Sequence, residues 1–410
     1  MSQVSTMKII YLHQYFRTPN MSGGTRSYEM ARRLVAAGHE VHMVTSWTED
    51  TNHSRWFEEN IEGIHVYWYP NSYNNKMSFS KRIKAFVKFA KAASVKVSSF
   101  KDADIIFATS TPLTIAIPAI VASKLLKLPM VFEVRDLWPE VPIALGALKK
   151  PYEKFLARKL EEFAYKNSSH IVALSPGMKE GIKSTGYPEN QISVIPNSSD
   201  NELFAVEESE YLNFLKRNDW LPSGKVLIYT GTLGIVNGLK NAVDIAIELK
   251  QRESDISIVL IGDGIEYDDV NDYALKSDVL NKNFFMRKSV PKTDIPFFLK
   301  YATIASSFVI DIPELRANSA NKFFDALAAS RPILINYGGW QKDIIEENDC
   351  GVIAWKKTNK EIVDELEAFL NDEQKYIRAC NNAKGLALDE FSRDNLAKKL
   401  ENIILQVGAK

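Results

Sequence analysis

Cysteine is nearly absent: Cys350 and Cys380 are the only two in 410 residues. Two thiols cannot build a metal knuckle, and no disulfide is expected in a chain that reads as cytosolic. Long apolar runs are missing as well. The longest, around Leu113 to Ala122, is interrupted by Pro118 and falls short of the roughly 20 residues that span a bilayer. The first residues lack the basic start, apolar stretch and small-residue cleavage site of a secretory signal. Residues 1–6 carry no pattern, and Met7 is the more natural start. There is no low-complexity tract, and 45% hydrophobic with 25% charged residues is the balance of a globular protein. Nothing like a helix-turn-helix or a stacking platform accompanies the basic residues, which argues against nucleic acid as a partner.

Net charge is also missing, but the zero hides an asymmetry. Up to Glu202 the chain carries 25 basic and 19 acidic residues; beyond it, 26 and 32. The first half therefore favours an anionic partner. The length suits two domains of roughly 100–200 residues each.

Lys8 to His13 (KIIYLH) reads as a buried strand, followed by a loop ending in Gly23-Gly24. Thr25 to Ala37 is a helix with Met30, Leu34 and Val35 on its apolar side and Gly38 as a left-handed cap. With a strand over Glu40–Thr45 this makes a βαβ unit, whose crossover implies parallel strands. The glycine loop lets a ligand approach backbone at a helix start, and Arg26 would face an anion there. A tight turn beside a surface arginine is the plainer alternative. The spacing is not the GxGxxG of dinucleotide enzymes.

Further strands over Asp104–Thr109, Met130–Val134, His170–Leu174 and Ile192–Ile195 complete a first Rossmann-like domain. Arg135 and Asp136 follow a strand's C-terminal end, where α/β folds keep their sites. Asp102 and Asp104 spell a D-x-D but precede their strand, so they belong to the opposite rim. Lys76 to Lys101 holds eight Lys/Arg and no acid. Phe79, Ile83, Phe86, Val87 and Ala90 share one helical face there, opposite Lys81, Lys84, Lys88 and Lys91. Such a helix suits an anionic membrane surface, or packs its apolar stripe on a core and solvates its lysines.

A second α/β pattern follows the acidic segment Asp200–Ser223. The strand Val226–Tyr229 runs into Gly231-Thr232-Leu233-Gly234, and Ile256–Ile261 into Gly262-Asp263-Gly264. At both junctions a diphosphate could lie against backbone N–H groups. Ser319 to Gly339 then reads as a helix, a short strand and a glycine pair. Asn318 or Ser319 is expected to cap the helix, with Phe324, Leu327 and Ala328 buried. Lys322 and Asp325, three apart, reach one ligand.

Taken in order, these stretches resemble the GT-B glycosyltransferases, in particular glycosyltransferase family 4. GGTRSYEMARRLVAAGHEVHMVTS, FEVRDLWPE, ALSPGMKEGIKSTGYPENQISVIPNSSDNELF, YTGTLGIVNGLKNAVDIAIEL, IVLIGDG and FFDALAASRPILI carry the likeness across nearly the whole chain. The resemblance implies two Rossmann-like α/β domains facing a central cleft: an acceptor domain over 1–200 and a nucleotide-sugar domain over 201–388. A last helix over 389–410 would pack back toward the first. It implies a sugar transferred from a nucleotide diphosphate, with retention of configuration. The acceptor would be a glycan or polyprenyl-linked sugar of surface polysaccharide such as O-antigen or capsule. No cofactor and no metal are implied. The donor set would be Gly231, Thr232, Gly262, Gly264, Arg287, Ser319, Asn321, Lys322 and Asp325, with Asp325 on the ribose. Catalysis would fall to Lys322, Arg135 and Asp136, and the acceptor or phosphate loop to Gly23, Gly24 and Arg26.

The chain departs from the family where an arginine and a lysine usually flank the first glycine turn. Thr232 or Leu233 and Asn237 stand there, and Lys322 is expected to replace the lost charge, with Arg287 or Lys288 assisting. Of the usual glutamate pair, Asp325 holds the second place and Ala317 the first, with Glu314 nearby. Arg135-Asp136 stands where many relatives have His-Asp. A UDP-linked amino or deoxy sugar is the expected donor. The place of work is the cytoplasm, peripheral on the cytosolic membrane face. Two alternatives are an epimerase of the same architecture, converting donor without acceptor, and a non-catalytic nucleotide-sugar-binding protein.

Overall fold

Short runs of Ile, Val, Leu and Phe make the strands, because a parallel strand covered on both faces needs no polar alternation. The computed structural model describes residues 6–21, 23–73, 77–198 and 200–409, except the side chain of Phe79. Lys76, the expected start of the basic stretch, lies outside them, as does the start of the patternless N-terminus. The chain separates into two compact units, Met1–Pro196 with Asp394–Lys410, and Asn197–Arg393.

The first unit holds strands β1 (Lys8–Leu12), β2 (Glu40–Trp47), β3 (Phe57–Ile61), β4 (Ile64–Pro70), β5 (Ile105–Thr109), β6 (Met130–Val134), β7 (His170–Ala173) and β8 (Ile192–Val194). They lie in the order β3-β4-β2-β1-β5-β6-β7-β8. All pairings are parallel except the β3–β4 hairpin, which turns through Glu62 and Gly63 at positive φ. Its helices are α1 (Arg26–Ala36), α2 (Phe79–Val97), α3 (Ala116–Leu126), α4 (Glu140–Ala144), α5 (Pro151–Lys166) and α6 (Pro176–Ser184). The steps β4 to β5, β5 to β6 and β6 to β7 all run the same way along the sheet. Right-handed crossovers therefore put α2, α3 and α5 in one layer, where α3 packs between the other two.

The second unit carries β9 (Lys225–Thr230), β10 (Ile256–Ile261), β11 (Phe284–Arg287), β12 (Ile304–Ser307), β13 (Ile333–Ile335) and β14 (Gly351–Ile353). Their order is β11-β10-β9-β12-β13-β14, all parallel. Around them run α7 (Glu208–Arg217), α8 (Lys240–Gln251), α9 (Tyr267–Lys276), α10 (Ile295–Tyr301), α11 (Asn321–Ala328), α12 (Trp340–Glu347), α13 (Asn359–Asn371) and α14 (Glu373–Asp389). The expected final helix begins at Arg393, not Asp389, as α15 (Arg393–Gly408); Asp389 instead ends α14. Leu396, Leu400 and Ile404 of α15 fill the first unit's core beside Tyr11, Met30 and Leu34.

The basic helix α2 differs from expectation. Its buried face is Ala85, Phe86, Phe89, Ala90, Ala93 and Val97, whereas Val87 is 41% exposed. The core claims that stripe, so Phe86 and Ala90 are not free to anchor in lipid. Lys81, Lys84, Lys88 and Lys91 are exposed. Among the described residues no helix is long and apolar enough to cross a membrane.

Candidate active site

The C-terminal rim of the second sheet is built around backbone. The Gly231 amide donates to the Ile261 carbonyl (2.9 Å), the Leu233 amide to the Asp263 carbonyl (3.0 Å) and the Glu266 amide to the Leu233 carbonyl (3.0 Å). The two glycine turns are thus bonded to each other. A Cβ on Gly262 would stand 1.8 Å from the Gly231 carbonyl oxygen, and one on Gly264 2.3 Å from that of Leu233. Only glycine allows such an approach.

Helix α11 enters this rim uncapped. Its N-cap is Ala320, and no side-chain oxygen serves it. Asn318, expected as a cap, accepts instead from the Ala320 amide (3.1 Å). Ser319, the other candidate, is engaged by Asn197, whose amide donates to Ser319 Oγ (3.1 Å) and whose Nδ2 donates to the Ser319 carbonyl (2.7 Å). Neither blocks the first amides of α11, and Asn321 is exposed there. Phe323, Phe324, Ala326 and Leu327 are buried, with both rings against Trp340 and Phe391. This face is broader than expected, and Ala328 is only half-buried.

That seating aims Lys322 at β9. A Cβ on Gly231 would lie 2.4 Å from Lys322 Cε and 2.9 Å from its Nζ, so the glycine is what admits the lysine. The ammonium sits 5.0 Å from the centre of the Tyr229 ring. Among the described residues Lys322 has no ion pair or hydrogen bond. Burial pushes its pKa down to about 8, and the Asp325 carboxylate only partly restores it. Asp325, three residues on, is itself shifted upward by burial, against the pull of Lys292, Arg393 and Lys322. Burial thus works against the charged form of each group.

Other expected donor residues serve otherwise. The Arg287 guanidinium stacks 4.1 Å over Trp220 and donates to the Met286 carbonyl (2.9 Å). Only its backbone carbonyl serves the site, accepting from the Gly262 amide (3.0 Å). Lys288 pairs with Asp263 (3.1 Å). Thr232 is exposed, and its carbonyl accepts from the Tyr229 hydroxyl (2.6 Å).

In the first unit the largest correction is Arg26. It is neither a surface arginine nor free to face a ligand, being 6% exposed. Its Nη2 pairs with Glu133 (2.8 Å) and donates to the Ile195 carbonyl (2.9 Å), while Nη1 donates to the Pro196 carbonyl (2.6 Å). Burial would raise the Glu133 pKa, but the charge and hydrogen bond of Arg26, with help from Arg135 and Thr109, hold it below the ordinary value. Gly23 and Gly24 are exposed; a Cβ on Gly23 would press 3.2 Å from Arg17 Cγ. Asp136 is exposed and accepts from Thr111 Oγ1 (2.8 Å).

Arg135 has company that sequence reasoning missed. Its Nη1 lies 3.4 Å from Nε2 of His13, which is 3% exposed. Burial, then the charges of Arg135 and Arg17, push the His13 pKa well down, so the imidazole is neutral. His13 and Arg17 follow β1 just as Arg135 follows β6, so the rule that singled out Arg135 could have found them.

Comparison with known proteins accords with this geometry. A glycosyl transferase 4-like domain model matches residues 23–198, and a glycosyl transferases group 1 model matches residues 213–386. An uncharacterized glycosyltransferase of Methanocaldococcus jannaschii is 23% identical over 60% of this chain, which spans 62% of that relative's length. WcaI, a putative colanic acid biosynthesis glycosyl transferase of Escherichia coli, is 24% identical over 66% of this chain and 70% of its own. Among solved structures, Anabaena HepE in complex with UDP and glucose has a TM-score of 0.70 at 16% identity, covering 98% of this chain and 100% of that one. WaaG, a glycosyltransferase involved in lipopolysaccharide biosynthesis, has a TM-score of 0.67 at 13% identity, covering 97% and 99%. The chain belongs to the GT-B glycosyltransferases, joining a family 4-like domain to a group 1 domain.

Proposed function

We propose that the protein transfers a sugar from a nucleotide diphosphate to a glycan or lipid-linked acceptor in surface-polysaccharide synthesis. The observation that carries this is Lys322: a half-buried ammonium, without an ion pair or hydrogen bond among the described residues, lodged against Gly231 beside the uncapped start of α11. As the anomeric bond breaks, negative charge gathers on the departing nucleotide diphosphate. An ammonium and helix-start amides already aimed at that charge stabilise the transition state more than the ground state. Asp325 is placed to accept from the ribose hydroxyls, and the glycine turns to receive the diphosphate on backbone amides.

No metal is part of this reading, since Lys322 supplies the positive charge. Retention of configuration, with the leaving phosphate taking the acceptor proton, is the outcome proposed; NMR of the product's anomeric proton decides it. The acceptor falls to the first unit, where Arg135 and Arg17 supply positive charge. A UDP-linked donor draws support from the UDP complexes of HepE, and a polysaccharide or lipopolysaccharide product from the names of WcaI and WaaG.

Thermal-shift titration with UDP, GDP and ADP tests the donor half, because a ligand of the folded state raises apparent stability by about 2.7 kcal/mol at a hundredfold excess over Kd. UDP should stabilise the wild type and lose most of its effect in Lys322→Ala. Equal stabilisation of both proteins would remove Lys322 from the diphosphate site.

A further inference from the structure

The layer formed by α2, α3 and α5 exposes large apolar side chains on its outer face. On α5, Tyr152, Phe155, Leu156 and Phe163 are 57%, 60%, 61% and 44% exposed. Their spacing is i, i+3, i+4 and i+11, so they form one stripe running roughly 16 Å along the helix. Amphipathic helices normally turn such a stripe inward; here the inward side of α5 holds Ala164 and Tyr165 instead. On α3, Leu125 is 65% exposed. Apolar side chains of this size scattered singly need no explanation, but a contiguous set marks a contact surface.

Charge decides which contact. The exposed stripe of α2 is Lys81, Lys84, Lys88 and Lys91, ending in Val95 at 75% exposure. Neither α2 nor α3 contains an acid. Cations lie over the α5 rings: Lys150 is 5.6 Å from the Tyr152 ring, Lys159 5.8 Å from Phe155, and Lys124 of α3 5.1 Å from Phe163. Helix α5 itself mixes Glu153, Glu161 and Glu162 with Lys154, Arg158, Lys159 and Lys166, and Lys159 pairs with Glu162 (2.8 Å), so the positive excess of this face comes from α2 and α3. A protein partner would need a matching acidic and apolar relief. A bilayer offers both at once, with acyl chains for the rings and phosphate headgroups for the ammonium groups above them.

We propose that the outer face of α2, α3 and α5 docks on anionic phospholipid, the α5 stripe entering the headgroup–acyl boundary and the α2 lysines pairing with lipid phosphates. The idea rests on the lipid-linked acceptor proposed above, and it replaces the α2 apolar stripe with α5 as the inserting element. Apolar burial holds the protein, and the lysines select the anionic surface, each adding attraction that salt screens.

Flotation of the full chain with vesicles of phosphatidylglycerol and phosphatidylcholine tests it. The wild type should float with mixed vesicles in low salt, and bind ~10-fold or more weakly to pure phosphatidylcholine or in high salt. Phe155→Ser with Leu156→Ser, and separately Lys81→Glu, Lys84→Glu, Lys88→Glu and Lys91→Glu, should each weaken binding by ~10-fold or more. All six side chains are exposed, so the thermal midpoint should not fall. Wild-type flotation by either variant, or no flotation of the wild type, overturns the assignment. So does a wild-type dimer that Phe155→Ser with Leu156→Ser converts to monomer, since a second copy would then cover the face. UDP stabilisation without flotation sinks only the docking, whereas flotation without UDP stabilisation sinks only the proposed transfer reaction.

Discussion

Each unit sets a cation close to a carboxylate, and the two arrangements are opposites. In the first, Arg26 spends its donors on Glu133 and on the Ile195 and Pro196 carbonyls, and Glu133 also accepts from Thr109 Oγ1 (2.7 Å). In the second, Lys322 meets a glycine and a tyrosine ring, and burial disfavours its charge with no hydrogen bond or ion pair among the described residues to offset the cost. A complete set of partners makes a strut. An incomplete set around a half-buried charge costs free energy until an anion arrives, and that difference separates a structural charge from a binding one.

The contrast breaks if the strut can be removed cheaply. Arg26→Ala should lower stability by ~3–5 kcal/mol, because it strands Glu133 in the core; denaturant unfolding measures this. Lys322→Ala should do the reverse. It should leave the thermal midpoint unchanged or raised while lowering kcat by ~10²–10³-fold, the usual effect of deleting one preorganised donor to developing charge. A large stability loss there would make Lys322 a strut too. Asp325→Ala should weaken nucleotide binding by ~1–3 kcal/mol, as lost charge-assisted hydrogen bonds to a ribose require, with calorimetry of UDP binding as the check.

The smallest effect sharpens the comparison through pH. Lys322 acts protonated, and its lowered pKa means that the charge is lost as pH rises through about 8. For the free enzyme kcat/KM should therefore fall above that pH. A bound diphosphate favours the ammonium and should move the matching limb of kcat higher. Lys322→Ala should lack this limb.

Much of this was legible in the chain. The apolar runs, glycine turns and helix periodicities locate the sheets and the Lys322 helix, because they are local signals. What stayed hidden depends on distant partners. Arg26 looked available because Glu133, in the middle of a strand over a hundred positions away, gives no local sign of being its counterion. Ser319 looked like a cap because nothing local in the sequence ties Asn197, over a hundred positions earlier, to the start of α11. The α2 stripe was rotated because Val87 fits the helical period as well as Phe89 does, and only packing against α3 chooses. The β3–β4 hairpin went unread, its central strand positions being exposed Glu58, Glu59 and Asn60.

The return of the chain to its first unit at Asp394 has a consequence for synthesis. Leu396, Leu400 and Ile404 belong to a core whose members outside α15 lie within the first 195 residues. A nascent chain therefore emerges with its first half unfinished, makes the whole second unit, and only then receives the helix that closes the first. At roughly 5–20 residues per second, that leaves an open apolar groove beside α1 for tens of seconds. The opening half of this protein is the last to be completed.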